Sequence, residues 1–161
     1  MSELTIDISL SEQRLRLERG DCLLMDVAVS TAKNGAGEIN GSFRTPRGRH
    51  LIRAKIGAGC TPNTVFVNRR STGEIYSPEL RVQFPQRDWI LTRILWLSGT
   101  EPGKNRLGQV DTLRRFIYIH GCPDEDVMGV PGSHGCVKMR NSEIIELFER
   151  VPVGIPVFIR E

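Results

Sequence analysis

The segment Ser133-His134-Gly135-Cys136, together with the earlier His120, carries the strongest chemical signal in this sequence. Cysteine is a strong nucleophile only as its thiolate, so it needs a base or a cation beside it. Two of the chain's three histidines lie in this part of the sequence. A glycine directly before the cysteine lets the backbone approach a substrate carbonyl without a Cβ in the way. The pattern therefore predicts a cysteine nucleophile that performs acyl transfer.

His120 is the predicted base for the Cys136 thiol. It ends an apolar strand pattern, and Cys136 lies in a turn before a helical segment, so both would be exposed at the ends of rigid elements. If the side chains meet, the pair should lower the pKa of the cysteine to roughly 3.5–7.5. The amides of Gly135 and Cys136 could then bind the oxyanion. The second imidazole nitrogen needs an acceptor, for which Asp124, Asp126 or a backbone carbonyl could serve.

The same residues also allow a metal site. His120 and Cys122 form one His-x-Cys pair, His134 and Cys136 form another, and structural zinc prefers four nitrogen and sulfur ligands. This spacing differs from that of the common Cys-x-x-Cys knuckles. The alternative to an acyltransferase is therefore a non-catalytic domain that is stabilised by zinc through this cluster or binds glycan. For His50 the sequence favours a structural role, with its ring bonded to the backbone.

Composition and charge predict one globular domain over residues 1–161. The chain is 39% hydrophobic and 25% charged, which is enough to bury a core without disulfides. Its net charge of +3 is not gathered in a basic stripe with aromatics, so no nucleic-acid partner is expected. No stretch approaches the length of a transmembrane helix. The four cysteines are irregularly spaced, which predicts free thiols. No motif indicates a cofactor.

Alternation of apolar and polar residues predicts that strands form most of this domain. The predicted strands lie within residues 4–10, 15–17, 23–29, 50–57, 65–67, 89–97, 116–119 and 155–159. The strand at 89–97 is apolar at nearly every position, so it should be central and buried on both faces. The sequence thus predicts a mainly β fold.

Three other segments complete the predicted fold. Residues 31–48, rich in Gly, Asn, Ser and Thr, are expected to form a long loop. Residues 77–86 contain two prolines and are expected to be irregular. Residues 142–150 are the one convincing helix, with Asn141 or Ser142 as its N-cap. The fold class is therefore mainly β with one main helix (α+β).

The chain resembles the L,D-transpeptidase catalytic domain of the YkuD type, a family that remodels bacterial peptidoglycan. The family signature is a histidine followed, after a gap, by Ser/Thr-His-Gly-Cys, an apolar residue and Arg or Asn. Here His120 is followed by Ser-His-Gly-Cys-Val-Lys at residues 133–138. Residues 27–31 resemble the family's first motif and residues 45–48 its Thr-Pro-x-Gly turn. The helix from Asn141 onward resembles its trailing helix.

The resemblance implies a role for each residue of the motif. Cys136 would be the nucleophile and His120 its general base. The residues that would support the site or shape its oxyanion region are Gly121, Ser133, His134 and Gly135. Of these, Gly121 would orient the imidazole through its carbonyl. Lys138, which stands where Arg or Asn is usual, would bind substrate with a positive charge but without the planar fork of arginine.

The resemblance also implies a two-step reaction on peptidoglycan stem peptides. The thiolate attacks the carbonyl of the third stem residue and expels the terminal D-alanine. An amine of another stem then takes the acyl group to give a 3→3 cross-link, or water takes it, as in a carboxypeptidase. Carbapenems acylate the same cysteine in many members. The implied fold is a β-sandwich-like mixed domain.

Two further expectations concern regulation and location. Cys122 could form a disulfide with Cys136, which would lock the nucleophile. The family acts outside the cytoplasmic membrane, which implies the cell envelope or periplasm. Residues 1–10 lack the basic and then apolar regions of a secretory signal, so the sequence alone leaves a cytoplasmic location open. It does not indicate an oligomeric state.

Overall fold

Ten strands pair into one curled sheet in the computed structural model, which describes residues 3–161. The predicted domain begins at residue 1, so its first two residues lie outside the described range. The strands are β1 (Leu4–Ser9), β2 (Arg14–Arg19), β3 (Cys22–Ala28), β4 (Gly48–Ile56), β5 (Thr64–Val67), β6 (Arg70–Ile75), β7 (Ile90–Gly99), β8 (Tyr118–Gly121), β9 (Val137–Met139) and β10 (Pro156–Arg160). The helices are α1 (Pro78–Gln83) and α2 (Asn141–Arg150). The predicted fold class is confirmed.

β7 is the strand at which the sheet branches. From one edge the order is β3-β2-β1-β10-β4-β7, and β4 pairs with β7 over Ile94–Gly99. β5 pairs with the first residues of β7, and β6 completes a hairpin with β5. β8 pairs with β7, and β9 adds to β8 in parallel. β7 is buried along nearly its whole length, so the prediction of a central strand is confirmed.

The main core lies between α2 and the sheet. On β1, Ile6 and Ile8 are fully buried while Asp7 between them is more exposed, as the two-residue period of a strand requires. On α2, Ile144 and Leu147 recur at helical spacing and are fully buried. Burying each such side chain contributes about 1.5–3 kcal/mol. This core fixes the strands that carry the candidate site.

Residues 77–86 were predicted to be irregular, and this prediction is wrong because α1 begins there. The Ser77 hydroxyl accepts a hydrogen bond from the Leu80 amide (3.2 Å), which is an N-cap. Pro78 takes the first helical position, where a missing N–H costs nothing. Within residues 3–161, no helix is long and apolar enough to span a membrane.

β6 was not predicted from the sequence. A two-residue turn, Asn68-Arg69, joins it to β5, and Val67 pairs with Arg70 on either side of the turn. The φ angles of Asn68 and Arg69 are 49° and 64°, which is the left-handed backbone of a type I′ hairpin. The usual sequence signal for this turn is Asn-Gly, and here arginine stands in place of the glycine, so the signal is absent.

His50 has the structural role that the sequence favoured. Its Nδ1 lies 3.1 Å from the Gly48 carbonyl oxygen, and its Nε2 lies 3.0 Å from the Thr112 hydroxyl. The side chain is buried, and this desolvation lowers the pKa of His50 to about 4. His50 is therefore a neutral core residue at neutral pH.

Candidate active site

The pairing of β8 with β9 brings the two residues predicted to be catalytic to one cavity. His120 of β8 pairs with Lys138 of β9, and Cys136 lies two residues before Lys138. Because side chains alternate along a strand, those of His120 and Cys136 emerge on the same face of the sheet. Both line a cavity of about 330 Å³.

The imidazole of His120 is held by its own backbone neighbour. The side chain is buried, and its Nδ1 lies 2.6 Å from the Gly121 carbonyl oxygen. In the neutral ring this contact puts the proton on Nδ1 and leaves Nε2 as an acceptor. Desolvation lowers the pKa of His120, which favours that neutral ring. Of the three acceptors considered from the sequence, the backbone carbonyl is the one in place.

The Cys136 sulfur contacts two backbone groups. Sγ lies 3.3 Å from the Tyr118 amide, which donates to it, and 3.5 Å from the Phe116 carbonyl oxygen, to which the thiol donates. Desolvation raises the pKa of Cys136 to about 12, and the negative charge of Asp88 adds to this effect. The Tyr118 amide and the positive charge of Arg115 act against it. The prediction of a depressed thiol pKa is therefore wrong, because desolvation outweighs both.

Ser133 and Gly135 shape the turn that presents Cys136. The Ser133 hydroxyl donates to the Cys136 carbonyl oxygen (2.5 Å) and accepts from the Gly135 amide (3.1 Å). The Gly135 carbonyl in turn accepts from the buried Thr45 hydroxyl (2.9 Å). The φ of Gly135 is +132°, and an added Cβ would lie 3.2 Å from Ile117 Cδ1. Gly135 thus supports the turn, and its amide is engaged by the Ser133 hydroxyl. Of the two amides predicted to bind the oxyanion, that of Cys136 therefore remains as the candidate donor.

His134 and Lys138 take different places relative to the cavity. His134 is exposed at the cavity wall, with its ring centroid 6.0 Å from that of Phe43 in an edge-on arrangement. The Lys138 ammonium lies 2.8 Å from the Asp126 carboxylate, which also contacts Arg81 at 2.8 Å. Lys138 is not among the residues that line the cavity. Its charge is paired with Asp126 in this structure, and its role in binding substrate stays a prediction.

Asn141 braces the backbone behind His120 and does not cap α2. Its Oδ1 accepts from the Thr92 hydroxyl (2.6 Å), and its Nδ2 donates to the Cys122 carbonyl oxygen (3.0 Å). Arg140 is the N-cap residue and makes no side-chain capping bond, so the predicted Asn141 or Ser142 cap is wrong. A Cβ on Gly121 would collide with Asn141 Oδ1, so the network packs directly against the residue that holds His120.

The sequence did not single out several residues that line the cavity. Arg69 comes from the β5–β6 turn, Asp88 from the residues before β7, and Arg115 from the segment before β8. The guanidinium of Arg115 donates to the carbonyl oxygens of Arg44 (2.6 Å) and Gly37 (3.2 Å). No local pattern marks these residues, because the turn at Asn68-Arg69 lacks the glycine that usually signals it.

The geometry supports neither the zinc cluster nor the disulfide. Among residues 3–161, no group of three or more His, Cys, Asp and Glu side chains is placed to hold a metal ion. Cys122 and Cys136 are free thiols, and Cys122 is buried with its thiol donating to the Met139 carbonyl oxygen. The β8–β9 register puts Cys136 beside Tyr118. Cys122 lies four residues after Tyr118 along the chain, which is on the order of 13 Å at about 3.3 Å per residue. A disulfide needs Cα atoms within about 7 Å.

Comparison with the sequence models of known families gives a match along nearly the whole chain, whereas the individual relatives found by sequence match shorter segments. The sequence model of the YkuD family, described as the L,D-transpeptidase catalytic domain, matches residues 3–159. A segment of 47 residues is 40% identical to the putative L,D-transpeptidase YqjB of Bacillus subtilis, covering 29% of this chain and 27% of that protein. A segment of 48 residues is 50% identical to the probable L,D-transpeptidase YbiS of Escherichia coli K12, covering 29% of this chain and 16% of that protein.

A solved structure shares the fold. L,D-transpeptidase 3 from Mycobacterium tuberculosis, in complex with a faropenem-derived adduct, superposes with a TM-score of 0.61 at 13% identity. The alignment covers 99% of this chain and 61% of that one. At this identity the comparison shows that the architecture is the same. In each of these comparisons, the part matched by this chain is less than two thirds of the relative's own length.

Proposed function

The chain belongs to the family of L,D-transpeptidase catalytic domains, and on this basis we propose that it performs acyl transfer on peptidoglycan stem peptides with Cys136 as its nucleophile. We take residues 1–161 as one catalytic domain that acts at the cell envelope. The observation that carries the proposal is the contact between His120 Nδ1 and the Gly121 carbonyl. It leaves Nε2 of His120 as a base in the cavity that Cys136 also lines.

The first step begins from a neutral pair. Burial raises the pKa of Cys136 and lowers that of His120, so a thiolate–imidazolium pair is disfavoured at rest. As Sγ attacks the carbonyl carbon of the third stem residue, its proton passes to His120 Nε2. A thiolate of high basicity is also the stronger nucleophile. The Cys136 amide is the donor that we assign to the oxyanion.

Collapse of the tetrahedral intermediate completes the acylation. The bond between the third stem residue and D-alanine breaks, and the imidazolium returns its proton to the departing amine. A thioester on Cys136 remains. In the second step the acceptor, either the side-chain amine of another stem or water, attacks the thioester carbonyl while His120 takes its proton. The C–S bond breaks, and the imidazolium returns the proton to the departing Cys136 thiolate. The products are a 3→3 cross-link or a shortened stem.

Product analysis by mass spectrometry tests this proposal. The wild-type protein is incubated with a tetrapeptide stem, and free D-alanine, tripeptide and cross-linked dimer are quantified. We expect D-alanine release that Cys136→Ala abolishes while the circular dichroism spectrum stays unchanged. Turnover that survives in a folded Cys136→Ala variant would exclude Cys136 as the nucleophile.

A further inference from the structure

The turn between β5 and β6 holds an arginine where glycine is usually found. Arg69 has a φ of 64° and follows Asn68, whose φ is 49°. Glycine adopts this backbone conformation without steric cost, whereas a residue with a Cβ is strained there. Strained residues of this kind persist only where the surrounding structure holds them, and they cluster at functional sites. Arg69 thus combines a strained backbone with a side chain that lines the cavity.

The Arg69 guanidinium is fixed at the wall of the cavity that contains Cys136. It lies 4.6 Å from the ring centroid of Phe116 and 5.0 Å from that of Trp96. One of its nitrogens donates to the Tyr118 hydroxyl at 3.0 Å. Within residues 3–161, no carboxylate forms an ion pair with Arg69. Since a guanidinium has five N–H donors, this rigid cation keeps donors for a ligand.

Asp88 places a negative charge beside this cation. Phe66 pairs with Ile90, Asp88 lies two residues before Ile90, and Asn68, Arg69 and Asp88 all line the same cavity. Asp88 is exposed and lines the same cavity as Arg69. In the described part of the chain it takes part in no ion pair or side-chain hydrogen bond. One wall of the cavity therefore carries a cation and an anion that do not bridge each other.

We propose that Arg69 and Asp88 are specificity-determining residues that bind the zwitterionic end of a substrate side chain, a carbon that bears both an ammonium and a carboxylate. Arg69 holds the carboxylate through its planar fork, and Asp88 holds the ammonium. This inference rests on the proposed function, because the group belongs to the third residue of the donor stem. Cys136 attacks the carbonyl of that residue, so its side chain is the one that must lie along the cavity wall.

Binding of stem tetrapeptides to the Cys136→Ala variant, by calorimetry, tests the proposal without turnover. Three stems are compared, with diaminopimelate, lysine or side-chain-amidated diaminopimelate at the third position. We expect the diaminopimelate stem to bind about ten-fold or more tightly than the other two. Adding Arg69→Gln should abolish that preference. Adding Asp88→Asn should weaken all three stems, since each carries the ammonium.

Arg70→Gln is the matched control, because it removes the same charge one residue away and outside the cavity. It should leave all three affinities unchanged. Arg69→Gly relieves the backbone strain, so it should keep the hairpin folded and still lose the preference. Equal weakening by Arg69→Gln and Arg70→Gln, or an equal effect of Arg69→Gln on all three stems, would overturn the proposal. The second result would assign Arg69 to the C-terminal carboxylate instead.

The proposed function and this inference fail in different ways. D-alanine release by the wild-type protein at equal rates from diaminopimelate and lysine stems would reject the specificity pair and keep the acyl transfer. A preference in binding that depends on Arg69, without any release of D-alanine, would reject the acyl transfer and keep the specificity pair. An effect of Arg69→Gln confined to the acceptor stem, with acylation unchanged, would also overturn the proposal.

Discussion

The Nδ1 atom of His120 lies 2.6 Å from the carbonyl oxygen of Gly121, the next residue in the chain. This contact fixes the imidazole tautomer without a carboxylate, so no buried negative charge has to be neutralised in the site. The position of that carbonyl depends in turn on Asn141 and Thr92, which pack against Gly121. The base is therefore positioned through backbone and amide groups that carry no charge.

The Asn141 network gives the first prediction. Asn141→Ala leaves the Cys122 carbonyl and the Thr92 hydroxyl without this partner, and each lost buried bond costs about 1–3 kcal/mol. We expect lower stability in urea unfolding and a lower kcat with little change in KM, because His120 loses its fixed orientation. Ser142→Ala, at the exposed next residue, should shift stability by less than about 0.5 kcal/mol. Equal effects of the two variants would contradict this account.

The protonation state of Cys136 gives the second prediction. Because burial raises the pKa of Cys136 to about 12, its alkylation by iodoacetamide should become faster with rising pH throughout the neutral and alkaline range. Asp88 contributes to the raised pKa through its negative charge, so Asp88→Asn should lower that pKa and speed alkylation at a given pH. Alkylation rates assigned by peptide mass mapping measure both. A plateau below about pH 8 would instead indicate a thiolate–imidazolium pair.

The buried His50 gives the third prediction, on acid stability. Its pKa is about 4 in the folded protein, below the value of about 6.5 expected when unfolded, so the unfolded state binds the proton first. Stability from this group is present above about pH 6.5 and is lost as the pH falls towards 4, by about 3 kcal/mol in all. His120, whose pKa is also lowered, acts in the same direction.

Urea unfolding at neutral and acidic pH checks this prediction. His50→Gln should reduce the difference in the free energy of unfolding between the two conditions. His134→Gln, at an exposed histidine, should leave that difference as it is in the wild-type protein. An unchanged acid sensitivity in His50→Gln would show that other groups cause it.

The ion pair of Lys138 with Asp126 gives the fourth prediction. Lys138→Met should lower stability by about 1–3 kcal/mol, because within residues 3–161 Asp126 would keep Arg81 as its one remaining cation partner. The KM for stem peptides should not change. Combining Lys138→Met with Asp126→Asn should recover part of the lost stability. A raised KM in Lys138→Met with normal stability would contradict this expectation and support the substrate-binding role predicted from the sequence.

Local patterns predicted most of the strands, with β6 and β9 the exceptions. Alternation in β1 and the apolar run of β7 directly reflect which faces are buried, and both elements form where the sequence indicated. Three residues of the Ser-His-Gly-Cys segment, Ser133, His134 and Cys136, likewise line one cavity with His120. These features depend on residues that are close in sequence, and a single sequence can show them.

Features that depend on distant residues escaped prediction. Lys138 pairs with Asp126 only because the loop after β8 folds back over β9, and no local pattern encodes that contact. Arg69 reaches the cavity because β5 pairs with β7. The thiol pKa of Cys136 depends on burial by the assembled fold. Each of these required the tertiary arrangement, which the periodicity of single elements does not specify.

Intact-protein mass spectrometry after exposure to a carbapenem tests the central claim most directly. The account predicts a single covalent adduct on the reduced wild-type protein, none on Cys136→Ala, and slower formation on His120→Gln, which lacks the base. Peptide mapping should place the adduct on Cys136. An adduct of equal yield on a folded Cys136→Ala variant, or none on the folded wild-type protein, would contradict the assignment of Cys136 as the acyl-accepting nucleophile.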